Sequence, residues 1–83
     1  MTFETIKEEL FRYIEEKYDL QGDPDYSMEV NLFDYGFIDS LGATEIICWL
    51  EENYNIEITQ KDIVLYPMNS VEEIAEVVYG KVN

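Results

Sequence analysis

The residues best suited to chemistry lie in the stretch "FIDSLGATEIICWL" (37–50), in which Ser40 directly follows Asp39. Serine becomes a nucleophile when a neighbouring base takes its proton, but this chain has no histidine and only five lysines and arginines. Hydrolase chemistry at Ser40 is therefore not expected. A hydroxyl at a helix N-terminus can still carry a phosphodiester, because free amides and the positive end of the helix dipole favour an anion there. Ser40 is either such an attachment point or, with Asp39, only a helix cap.

Other candidate ligands and nucleophiles give weaker signals. Cys48 is the single cysteine, so an internal disulfide is impossible, and a zinc site or a Cys/His pair is disfavoured without histidine. Some oxygen-bearing side chains of a calcium loop are present, at Asp23, Asp25, Ser27 and Asp34. Met28 stands where such a loop requires a glycine. We therefore expect neither a metal site nor a catalytic residue.

Composition and charge describe a small, folded, acidic protein. The 83 residues are 47% hydrophobic, which is unlike a disordered tail, and we expect one domain over residues 1–83. The net charge of −14 disfavours nucleic acid and anionic membranes and favours basic protein surfaces. The N-terminus lacks the basic start of a signal peptide, and no apolar run reaches the ~18 residues of a membrane span. We therefore expect a cytoplasmic protein without membrane insertion.

Apolar periodicity predicts the first helix and the loop that follows it. Large apolar residues recur at steps of three and four, at Phe3, Ile6, Leu10, Tyr13, Ile14 and Tyr18. Residues 19–39 lack periodicity and contain Gly22, Pro24 and Gly36, which predicts a long loop. The second half of this loop should be tied to the core by Leu32, Phe33, Phe37 and Ile38.

The second helix has two distinct faces. Helical spacing predicts a core face of Ala43, Ile46, Ile47, Leu50 and Tyr54. The opposite flank carries Leu41, Thr44, Glu45, Cys48 and Glu52, which suit docking of an apolar and basic partner. Helical spacing alone equally allows Leu41 to fold over the loop and Cys48 to be half-buried.

Two more helices complete the expected fold. A short helix should be capped by Thr59 and end before Pro67. The last helix should begin after Ser70, where Ser70 and Glu73 match a capping box in which the glutamate returns to the serine amide. We therefore predict an all-α bundle of three main helices plus one short helix, with a long loop between the first and second helices.

The frame "NLFDYGFIDSLGATEIICWLEENYNIEIT" resembles the attachment region of acyl and peptidyl carrier proteins. In that family a Leu/Phe-rich loop and a glycine lead into Asp-Ser-Leu, followed by a helix that ends in Glu-Glu, an aromatic residue and Ile-x-Ile. The matching positions here are Asp39-Ser40-Leu41, Glu45, Leu50-Glu51-Glu52, Tyr54 and Ile56-Glu57-Ile58. The resemblance implies that Ser40, within the Asp39-Ser40 motif, carries 4′-phosphopantetheine, whose thiol holds the cargo as a thioester.

Two departures bear on the subtype. Fatty-acid carriers usually place one residue between the glycine and Asp-Ser and an acid after Asp-Ser-Leu, whereas here Phe37-Ile38 makes two and Gly42 replaces the acid. The layout is more similar to D-alanyl carriers and to free-standing carriers of specialised biosynthesis. The segment "DIVLYPMNS" lacks the Asp-Arg and Trp associated with D-alanyl carriers, which favours a dedicated biosynthetic carrier.

The resemblance implies a non-catalytic carrier of an acyl or aminoacyl group. Its partners would be a phosphopantetheinyl transferase, an adenylate-forming ligase or acyltransferase that loads it, and downstream acceptor enzymes. We expect a monomer. The alternative is an acidic adaptor that binds one basic partner without a cofactor.

Overall fold

The computed structural model describes residues 1–82, and within that range the chain forms helices without any strand. The helices are α1 (Phe3–Lys17), α2 (Ser40–Tyr54), α3 (Gln60–Leu65) and α4 (Val71–Val82). The prediction of an all-α bundle with three main helices, one short helix and a long loop after the first is confirmed. No helix of residues 1–82 is both long and apolar enough to cross a membrane.

The core lies where the three long helices meet. α1 packs most extensively against α4, and α2 also contacts α4. The helices contribute a common set of buried side chains: Ile6, Leu10 and Ile14 from α1, Ile46 and Leu50 from α2, and Val71, Ile74, Ala75 and Val78 from α4. Of the predicted core face of α2, Ala43, Ile47 and Tyr54 are only partly buried and pack around the edge of this core.

The long loop is fastened to the core by large side chains. The Tyr26 ring stacks on Phe11 with centroids 4.3 Å apart, and its hydroxyl donates a 2.8 Å hydrogen bond to the Phe11 carbonyl. Leu32 is fully buried and Ile38 nearly so, as expected. These contacts bring the end of the loop back to the start of α2.

The expectation that Phe33 anchors the loop is wrong, because its side chain is 39% exposed. The Asn31 side chain accepts 3.0 Å hydrogen bonds from the amides of Phe33 and Asp34 and so closes a tight turn. Leu32 takes the buried position within this turn, which directs Phe33 outward.

The capping of α4 differs in part from the prediction. Ser70 Oγ accepts the amide of Glu73 at 3.1 Å, as a capping box requires. The Glu73 carboxylate, however, accepts the amide of Asn69 at 3.0 Å and not that of Ser70. The carbonyl of Asn69 in turn accepts the amide of Leu32, which fixes Asn69 beside the helix start and within reach of Glu73.

The short helix α3 stands apart from the core. None of its residues is buried, and Val64 is 81% exposed. Its N-terminus has a complete capping box between Thr59 and Asp62. Asp62 also pairs with Lys81 of α4 at 2.8 Å, so α3 is held mainly by polar contacts at its start.

Candidate functional site at the start of α2

Ser40 is the first residue of α2 and is exposed. Asp39 occupies the N-cap, with extended backbone angles, and its Oδ1 accepts the amide of Gly42 at 2.8 Å. The capping role therefore belongs to Asp39. Within residues 1–82, no group forms a hydrogen bond with the Ser40 hydroxyl.

The surroundings of Ser40 suit a covalently attached anion. The amides of Ser40 and Leu41 have no acceptor among the described residues, as is usual for the first turn of a helix. The first turn of α2 contains no acidic residue, so no carboxylate follows Ser40 there to repel a phosphodiester. These free amides and the helix dipole would stabilise the negative charge of such a group.

The same geometry is unsuited to catalysis by Ser40 itself. A serine nucleophile needs a base within hydrogen-bonding distance of its hydroxyl. The chain has no histidine, and the Ser40 hydroxyl contacts no basic side chain in the described part of the chain. A partner would have to supply the base for any reaction at this oxygen.

The predicted outer flank of α2 is indeed a solvent-facing surface. All five of its side chains are exposed: Leu41, Thr44, Glu45, Cys48 and Glu52. We call these five residues the outer face of α2. Leu41 is 69% exposed and Cys48 is also exposed, so neither adopts the buried alternative. The outer face begins beside Ser40, which is why docking there would bring a partner close to the hydroxyl.

One residue of the outer face is bound by α1. Lys17 Nζ lies 3.0 Å from Glu45 Oε2, and both side chains are partly exposed. The hydrogen bond that Lys17 donates to Glu45 raises the pKa of Lys17 above its ordinary value. No sequence signal predicts the pair, because the long loop separates its members.

A second contact from the end of α1 reaches Gly42. A Cβ atom at Gly42 would lie 2.5 Å from Tyr18 Oη and 3.2 Å from Ile38 Cγ2. The first of these distances is too short for any real side chain. The Tyr18 hydroxyl is itself buried without a hydrogen-bond partner in residues 1–82, and burial raises the pKa of Tyr18. The close approach of Tyr18 therefore gives a steric reason for glycine at position 42, where fatty-acid carriers usually have an acid.

A groove of about 590 Å³ opens beside Ser40, between α2, α3 and the end of the long loop. Ser40 and Thr44 are among the residues that line it. Most of the lining is apolar and includes Leu32, Phe33, Ile38, Ala43, Ile46, Ile47, Leu50, Ile63, Val64, Leu65 and Met68. Sequence analysis missed this groove, because it exists only where α3 stands away from α2.

Comparison with known families identifies a related family. The family model described as "Phosphopantetheine attachment site" matches residues 9–78, a span that includes all of α2 and α3 and most of α1 and α4. Comparison with curated proteins gives no match.

Proposed function

The chain belongs to the phosphopantetheine attachment site family, and on that basis we propose that it is a carrier whose 4′-phosphopantetheine arm is attached to Ser40. The arm holds an acyl or aminoacyl group as a thioester and presents it to biosynthetic enzymes. Residues 1–83 act as one carrier domain in the cytoplasm. The observation that carries this proposal is the exposed Ser40 hydroxyl, left without a partner because Asp39 caps the helix.

Attachment requires the Ser40 oxygen to lose its proton and to bond to a phosphorus atom of a diphosphate-containing donor of the arm, while the bond from that phosphorus to the bridging oxygen breaks and the rest of the donor leaves as a phosphate. Because no basic group of residues 1–82 contacts the hydroxyl, the phosphopantetheinyl transferase supplies the base. The contribution of this chain is to hold the oxygen at the positive end of α2, where the phosphodiester is stabilised.

The outer face of α2 is the proposed recognition surface. It combines the exposed Leu41 with Glu45 and Glu52, which complement a partner that is apolar and basic. The transferase, the loading ligase or acyltransferase and the acceptor enzymes all need access to the arm. A surface that begins next to Ser40 serves each of them.

The groove beside Ser40 favours an apolar acyl cargo over a charged aminoacyl cargo. Its lining is mostly aliphatic, and burial of an acyl chain there would remove apolar surface from water. Loading with a medium-length acyl chain should therefore raise the melting temperature above that of the unloaded, arm-bearing protein. An equal rise with a charged aminoacyl group would contradict this choice of cargo.

Intact mass tests the attachment site. When the chain is coexpressed with a phosphopantetheinyl transferase, the wild type should gain one phosphopantetheinyl group. Ser40→Ala should gain none and remain helical by circular dichroism. The matched control is Ser27→Ala in the long loop, which should be modified like the wild type. An unmodified wild type would favour the acidic adaptor, and modification of Ser40→Ala would refute the assignment of this serine.

A further inference from the structure

We infer that Tyr18 is a positioning residue for Ser40 and that it acts through Gly42. The inference rests on the proposed function, because the reaction at Ser40 is what Tyr18 would influence. The Tyr18 hydroxyl lies so close to Gly42 that a Cβ at that position would be 2.5 Å from it. Gly42 lies in the same helical turn as Ser40, so this contact sets the position of the turn that carries the hydroxyl.

Tyr18 is itself held in place by α1. It is the C-cap of that helix, and its amide donates a 3.0 Å hydrogen bond to the carbonyl of Ile14. The preceding residue, Lys17, pairs with Glu45 one turn further along α2. The end of α1 therefore holds the start of α2 at two successive points, one steric and one ionic.

The contact lies on the side of α2 away from the reaction. Residues two apart in a helix point to nearly opposite sides. Ser40 is exposed, whereas Gly42 is buried against Tyr18 and Ile38. Tyr18 therefore acts without contact with a partner at Ser40, by fixing the backbone beneath it.

The hydroxyl is the part of Tyr18 that makes the contact close. The same Cβ at Gly42 would be 3.3 Å from Tyr18 Cζ, a tight distance that a shift of a few tenths of an ångström relieves. The ring is rigid and packs against the core, so the hydroxyl has little freedom to turn aside. A methyl group at position 42 must therefore displace the first turn of α2, or the end of α1, or both.

The test compares Gly42→Ala, Tyr18→Phe and the double variant as substrates of a phosphopantetheinyl transferase. For Gly42→Ala we expect kcat to fall by about tenfold or more with little change in KM, since misplacement of a reacting group by ~1 Å has effects of this order. The double variant should recover most of the rate, because the added methyl takes the space of the lost hydroxyl. Tyr18→Phe alone should lower kcat only a few-fold.

Gly80→Ala is the matched control. Gly80 lies in α4, and a Cβ there would meet no atom within 4 Å, so the variant should react like the wild type. The proposal is overturned if Gly42→Ala, while folded, reacts as fast as Gly80→Ala, or if Tyr18→Phe fails to rescue it. If Gly42→Ala does not fold, Tyr18→Phe decides: an unchanged kcat overturns the proposal.

Hydrogen exchange separates this inference from the proposed function. The amide of Ala43 is bonded to the carbonyl of Asp39 at 2.9 Å, so its exchange reports on the first turn of α2 in the unmodified protein. Tyr18→Phe should speed exchange at Ala43 and leave α4 unaffected. If Tyr18→Phe speeds exchange at Ala43 but the transferase does not modify the wild type, the carrier function is refuted and the Tyr18 contact is retained. Unchanged exchange would refute the contact itself.

Discussion

Lys17 at the end of α1 holds Glu45 of α2 in an ion pair with a nitrogen-to-oxygen distance of 3.0 Å. Glu52, the other acid on the outer face of α2, has no ion pair within residues 1–82. A basic partner that binds this surface therefore meets one free carboxylate and one that Lys17 already engages. Lys17 limits the negative charge that the surface presents.

Replacing Lys17 should strengthen recognition by a basic enzyme. In Lys17→Met the Glu45 carboxylate is released, and a competing cation is removed from the edge of the outer face. We expect KM for the transferase to fall by about twofold to fivefold, the range expected for one exposed pair. Steady-state kinetics at low and high salt would check this, since the gain should shrink as salt screens the charges. A rise in KM would mean that Lys17 itself contacts the partner.

Reversing both acids of the outer face should have the opposite effect. Glu45→Lys with Glu52→Lys should raise KM for the transferase, mainly through slower association, and less so at high salt. The matched control is Glu8→Lys with Glu16→Lys on α1, which changes the net charge equally. An equal loss in the control would show that net charge governs recognition and that the outer face has no special role.

Leu41→Ala should slow transfer by a different route. Leu41 is 69% exposed, so its truncation should leave the melting temperature nearly unchanged. The loss of apolar contact with the enzyme should raise KM by a factor that does not depend on salt. The measurement is KM across a salt series beside that of the double acid variant. A salt response that matches the acid variant would argue against an apolar contact at Leu41.

The Asp62–Lys81 pair should contribute to stability only above the acid range. The hydrogen bond that Lys81 donates to the Asp62 carboxylate is the main reason that the pKa of Asp62 is lowered from 3.8 to about 2. A carboxyl whose pKa is lower in the folded state stabilises that state above its unfolded pKa, and the contribution is lost as the pH falls through the folded pKa. The melting temperature of Lys81→Met should therefore lie below that of the wild type at neutral pH.

The difference between these two melting temperatures should narrow as the pH is lowered from about 4 toward 2, because Asp62 becomes protonated over that interval. The other acids titrate in both proteins, so their effect on the melting temperature cancels when the two proteins are compared at the same pH. A difference that stays constant down to pH 2 would mean that Lys81 stabilises α4 by packing and not by its charge.

Asn55 should be replaceable by glycine but not by alanine. It ends α2 in the left-handed region, at φ 54 and ψ 51, and its amide bonds the carbonyl of Glu51. A side chain with a Cβ is strained in this region by about 1–2 kcal/mol, which asparagine partly offsets. Urea unfolding should show Asn55→Ala less stable by roughly 1 kcal/mol. Asn55→Gly should be equal to the wild type or more stable, and a loss in Asn55→Gly as large as in Asn55→Ala would point to a role for the asparagine side chain.

The ends of the helices are largely predictable from sequence because capping is local. Thr59 caps α3 as predicted, through residues within one turn. Local patterns fail where a distant segment intervenes. Glu73 binds the amide of Asn69 because the hydrogen bond from Leu32 holds Asn69 beside the start of α4. Phe33 points outward because of a tight turn that apolar periodicity does not predict.

The reactive residue of the candidate site is predictable from the sequence, but the contacts that hold it in position are not. Ser40 and Asp39 follow from a motif, and the outer face of α2 follows from helical spacing. The contacts of Lys17 and Tyr18 with α2 join segments on either side of the long loop, so no spacing rule relates them. The groove depends on the distance between α3 and α2, which neither helix determines alone.

Trp49 lies between α1 and α2, where its ring stacks on Tyr13 with centroids 4.1 Å apart and planes 6° from parallel. It is the only tryptophan of the chain. Its intrinsic fluorescence therefore reports the approach of α1 to α2 without any added label. Since Trp49 does not line the groove beside Ser40, the emission would separate a change in helix packing from the entry of cargo. The fluorescence of Trp49 can therefore be used to follow the contact between α1 and α2, to which Lys17 and Tyr18 also contribute.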